Sequence, residues 1–136
     1  MSLLHTDEEF HRLKNTKELY RQIFNCSVLP IIIHDMHLNI IDVNDKTISE
    51  FGYSREELLK LQVLDLHTES EMRNSLDVLE EMQELDSHKV QTIFKRKNGT
   101  VFTATASPCK IEMKRNSFIH VHLENIRDIP ETNREK

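Results

Sequence analysis

Glycine is almost missing from this chain, with two in 136 residues, and proline occurs three times. Two glycines cannot build a loop whose backbone N–H groups cradle phosphate. Such low Gly and Pro content also argues against a disordered or loop-built chain. The two cysteines, Cys26 and Cys109, stand far apart with no CxxC between them, which suits free thiols in a reducing compartment better than a disulfide framework. No apolar run approaches the roughly 20 residues that span a bilayer; the longest, Val28 to Ile33, is broken by Pro30. The N-terminus has no basic stretch followed by an apolar one, so no secretory signal is expected and the chain reads as cytoplasmic. A net charge of -5 gives no long-range attraction to nucleic acid or to an anionic membrane surface, so neither is an expected partner. A nucleophile elbow and a HExxH helix are absent too, and no catalytic residue is expected.

What remains is ordinary single-domain material, with 38% hydrophobic and 30% charged residues. Thr6 to Phe24 reads as a helix with acids in its first turn and Phe10, Leu13, Tyr20 and Phe24 recurring on one face. Lys17 interrupts that seam. Packing of the face on the chain's own sheet and pairing with a second copy are both open.

After Pro30 the period changes. Ile31 to Asp35 and Ile40 to Val43 form a hairpin about a turn at Met36 to Asn39. Asn44 caps the helix Asp45 to Phe51, and Gly52 ends it. Ser54 and Glu57 make a capping box for a short helix through Lys60. Thr68 and Glu71 open a longer helix to about Leu85, with Met72, Leu76, Leu79 and Met82 on one face. Lys89 to Lys97, Val101 to Met113 and Ser117 to Ile126 are strands, the first two joined by an Asn98-Gly99 turn. The clusters Lys95-Arg96-Lys97 and Lys114-Arg115 read as solvated hairpin tips. The order predicts an α+β fold, a roughly five-stranded antiparallel sheet with helices packed on one face and an amphipathic helix at the N-terminus.

Four stretches in this order resemble the PAS, or sensory box, family, from about Leu19 to Ile129. They are the opening hairpin Ile31 to Asn44, the segment Phe51-Gly52-Tyr53-Ser54-Arg55-Glu56-Glu57-Leu58, the hairpin Lys95 to Val101, and the closing Asn125 to Ile129. The sequence departs from the family pattern at Pro130, where threonine often follows the last aspartate and isoleucine. The resemblance implies a non-catalytic input domain over residues 25–129. Residues 1–24 would be a dimerisation segment, and 130–136 would connect to an effector, such as a histidine kinase, that these residues do not contain. Covalent flavin chemistry in the family needs a cysteine just before the long helix, and Leu61 to Ser70 has none. Haem-binding members usually present a histidine from the long helix, and Glu71 to Leu85 has none, with His67 and His88 only at its edges. Both cofactors are therefore disfavoured, and the cofactor is unknown.

A ligand cavity in such a fold would lie between the inner face of the sheet and the helices. Phe51, Leu66, Met72, Leu76, Ile93, Phe102, Ala104, Val121 and Leu123 are its expected lining. Small alanines beside Phe102 leave room for an apolar or weakly polar ligand, or receive a neighbouring bulky side chain in a packed core. His120 and His122 share one strand face and are candidates for a dimer interface, where a charged pair would repel. They and the pair His34 and His37 lack the third ligand that zinc requires, so no metal site is expected.

Overall fold

The computed structural model describes residues 2–68 and 89–130. Helix α1 spans Ser2–Cys26, a stretch without proline or glycine, and begins four residues before the predicted start. Its last turns reach the rest of the domain: Phe24 is buried, and Tyr20 stacks on it with ring centroids 5.5 Å apart. The long helix expected from Thr68 to Leu85 falls largely outside the described residues.

Strands β1 (Ile31–Asp35), β2 (Ile40–Val43), β3 (Val90–Lys95), β4 (Val101–Glu112) and β5 (Ser117–Asp128) form one antiparallel sheet in the order β2-β1-β5-β4-β3. The period of two puts Ile32, Val43, Phe94, Phe102, Ala104, Ala106 and Leu123 on the inner face. Against it pack Phe51 of α2 (Asp45–Phe51), Leu58 of α3 (Arg55–Leu58) and Leu66 of a 3₁₀ turn at Val63–Leu66. This is the five-stranded α+β architecture that the sequence predicts.

The turns form where side chains or φ angles permit them. The Asp35 carboxylate accepts from the amides of His37 and Asn39, which bends the first hairpin and holds the Asp35 pKa below its ordinary value despite the opposing effect of burial. Gly52 (φ +81°) ends α2, and Gly99 (φ +89°) closes the β3–β4 turn. In β2 an extra residue at the Ile33/His34 register shift turns Ile41 outward, so Ile40 and Val43 can both be buried.

Asn44 is fully buried at the N-cap of α2 and joins four segments. Its Nδ2 donates to the carbonyls of Phe24 and Leu29, at 3.0 Å each. Its Oδ1 accepts from the amides of Ile31 and Thr47 and from the Thr47 hydroxyl. Asn44→Ala strands several buried donors and acceptors at once, so it should lower unfolding free energy by about 2–4 kcal/mol in urea melts. A loss near that of a simple exposed N-cap, about 1 kcal/mol, would contradict this role.

Candidate functional site

The centre of the inner face is aromatic. Phe51 meets Phe102 at 5.4 Å and Phe94 edge-on at 5.7 Å, and Phe94 and Phe102 stack at 5.6 Å. His67 stacks on Phe94 at 4.4 Å, with its Nδ1 2.9 Å from the carbonyl of Ile93. Phe51, Leu66, Phe102, Ala104 and Leu123 are fully buried here, and Val121 packs against them. Ile93 is a correction: β3 buries Thr92 and Phe94, so Ile93 pairs with Thr103 on the outer face. Met72 and Leu76 lie outside the described residues. The sequence names His67 only as a residue at the edge of the long helix and does not single out Phe94, although the Asn98-Gly99 turn sets Phe94 opposite Phe102 and so on the same face.

Helix α2 runs from this cluster to both ends of the domain. At its N-terminus Asn44 holds the last turn of α1. At its C-terminus the Arg96 guanidinium donates to the Glu50 carbonyl at 2.9 Å and to the Glu50 carboxylate at 2.7 Å. The same Nη2 reaches the Asp128 carboxylate at the end of β5, also at 2.7 Å. Arg96 lies 4.5 Å over the Phe102 ring. It is thus no solvated hairpin tip, as the cluster Lys95-Arg96-Lys97 suggests, because its side chain is only 15% exposed. Burial lowers its pKa, but the two carboxylates outweigh that effect and the net shift is upward. An open hollow of about 640 Å³ beside the pair is lined by Glu50, Gly52, Arg96, Lys97 and Asn98 among others.

A family model described as the PAS domain matches residues 28–131. The chain belongs to the PAS family. Solved PAS domains share the architecture at low identity. One from a two-component sensor histidine kinase is 21% identical, with a TM-score of 0.73 over 85% of this chain and 98% of its own. One of an HTR-like protein from Haloarcula marismortui is 18% identical, with a TM-score of 0.76 over 90% and 99%. A domain of a sensory box sensor histidine kinase/response regulator from Geobacter sulfurreducens is 20% identical, with a TM-score of 0.69 over 83% and 96%. No curated protein matches.

On the outer face of this PAS sheet, His120 and His122 stand with ring centroids 6.2 Å apart, and His122 Nε2 lies 2.9 Å from Glu124 Oε1. Burial, with the neighbouring His122, pushes the His120 pKa down. Among the described residues, no three His, Cys, Asp or Glu side chains converge on a metal position. Cys26 and Cys109 are free and exposed. Among the described residues, no helix is long and apolar enough to cross a membrane. Of the α1 seam, Tyr20 is exposed and Phe24 buried, while Phe10 and Leu13 belong to a stretch whose side chains lie outside the description. The exposed apolar residues of the last turns are instead Leu19 and Ile23, 59% and 60% accessible.

His34 gives the PAS domain a pH dependence. It is buried, and desolvation holds its pKa below that of free imidazole, partly offset by the Asp35 carbonyl and carboxylate. The unfolded chain therefore takes up the proton first, and stability falls as pH drops below about 6.5. The lowered carboxyl pKa values of Asp35, Glu57 and Glu124 act only further down, where carboxylates protonate. His120, also held below the ordinary imidazole value, adds to the same decline, so His34→Gln should reduce the fall in urea midpoint between pH 7 and pH 5 without abolishing it. Parallel declines in variant and parent would assign the effect elsewhere.

Proposed function

We propose that this PAS domain is the non-catalytic sensory input module of a larger regulator, such as a sensor histidine kinase, working in the cytoplasm. One observation carries the reading: α2 is tied at one end to α1 through Asn44 and at the other to the end of β5 through Arg96. Beside the second tie Phe51 ends α2 and stands in the aromatic cluster of the inner face. A small apolar or weakly polar ligand that displaces Phe51 would move both ends of the domain together. The shift requires unequal binding to the two packings, since a ligand that fits both equally moves nothing. A following effector would read the change at β5, and a second copy would read it at α1.

A ligand-free dimerisation module is the second reading, and Leu19 and Ile23 favour it. They stand one helical turn apart, exposed, on the side of α1 turned away from the buried Phe24. Glu at position 23 would bury a charge in such a seam.

Native mass spectrometry of the purified chain, compared with the denatured chain, tests both readings at once. The sensory reading expects a dimer carrying extra mass that denaturation releases. A clean apo dimer moves the weight to the dimerisation module, and an apo monomer contradicts both. Ile23→Glu should convert the dimer to monomer, seen as a shift in mass by light scattering, with little change in Tm. A dimer of unchanged affinity would exclude this face of α1 as the interface.

A further inference from the structure

Near its end β5 has one residue more than β4 can pair. Glu124 stands opposite Thr105 and Arg127 opposite Thr103, which leaves Asn125 and Ile126 against Ala104 alone. Asn125 has φ +53°, in the left-handed region that asparagine tolerates better than most residues and that bulges of this kind use. The extra residue reverses the alternation of the strand. Leu123 faces the core before the bulge, and after it Ile126 packs against the same core. Asp128 stands opposite Phe102 and reaches Arg96, while Arg127 is exposed on the outer side. Strict alternation from Leu123 onward would instead put Arg127 beneath Arg96 and turn Asp128 away.

We propose that the last residues of β5 form a two-register latch, closed in this structure. In the other register the segment slides by one position, Asn125 becomes extended, Ile126 turns outward and Asp128 leaves Arg96. The closed register is held by the burial of Ile126, the Arg96–Asp128 pair and the bond from the Ile129 amide to the Val101 carbonyl at 3.1 Å. It is opposed by the positive φ of Asn125.

The partners of Arg96 are unequal in a way that permits release. Glu50 is nearly as enclosed as Arg96 itself, and it holds the guanidinium through both its carboxylate and its carbonyl. Asp128 is 73% exposed, so it returns to water at little desolvation cost. When it leaves, Arg96 keeps Glu50 and no buried charge is stranded. The latch is a property of the sheet itself; its use as the output step rests on the sensory reading above.

Exchanging the two charges tests the latch in the full chain. Arg127→Asp combined with Asp128→Arg sets two guanidinium groups together in the closed register and a carboxylate beneath Arg96 in the slipped one. The expected result is slippage, seen by NMR as cross-strand contacts of Phe102 with position 127 in place of position 128. A folded double variant that keeps the contact with position 128 overturns the proposal. If that variant does not fold, two single ones decide. Asn125→Gly accepts positive φ and Asn125→Val resists it. Exchange of the Ile129 amide should then be at least tenfold faster in Asn125→Val than in Asn125→Gly, and equal rates overturn the latch. These readouts report register alone, so they stand or fall apart from ligand binding.

Discussion

A buried carboxamide holds the N-terminal half of this domain together. Asn44 sits where α1 ends, where β1 begins and where α2 starts, and it satisfies backbone groups from each. The Asn44 side chain and its bonds to Phe24 and Thr47 are buried and those to Ile31 and Leu29 partly so, and an unmet buried donor or acceptor costs more than a single hydrogen bond gains. The position of α1 therefore follows the position of α2. The buried Phe24 and the bond from the Asp45 amide to the Asn25 side chain add to this tie, while the exposed turns carry Leu19 and Ile23 into solvent.

The other end of α2 is fixed by charge instead of by a neutral amide. Arg96 is enclosed by Phe102, Glu50 and Asp128, and the amide of Lys97 donates to the Phe51 carbonyl at 2.9 Å. The β3–β4 hairpin is thereby pinned to the end of α2, with the aromatic cluster directly beneath. Phe51 itself takes part in the second tie through its carbonyl, next to Glu50.

Much of this was legible in the sequence where a local rule had one solution. The Asn44 cap, Gly52 at the end of α2 and the Ser54–Glu57 capping box follow from short-range chemistry, and all three form. Alternation placed Phe102, Ala104 and Leu123 inward correctly because no bulge intervenes before them. Arg96 was hidden, because three adjacent basic residues look like a solvated tip until Glu50 and Asp128, distant in sequence, enclose the middle one. Ile93, expected in the cavity lining, faces the other way because its neighbours Thr92 and Phe94 carry the buried phase of β3. The bulge at Asn125 was hidden too, since one extra residue leaves no mark in a β-rich sequence. In α1, Tyr20 and Phe24 share a stripe, yet burial of Phe24 in the domain leaves Leu19 and Ile23 as the exposed apolar pair.

The account makes α2 a link between the two ends of the domain, and a double-mutant cycle across it tests that link most directly. Asn44 and Asp128 serve opposite ends of a seven-residue helix about 10 Å long and share no contact. Urea unfolding of Asn44→Ala, Asp128→Asn and the double variant should give a coupling of at least about 0.5 kcal/mol. Additivity within about 0.3 kcal/mol would show that the two ends are held independently, and the link would fail.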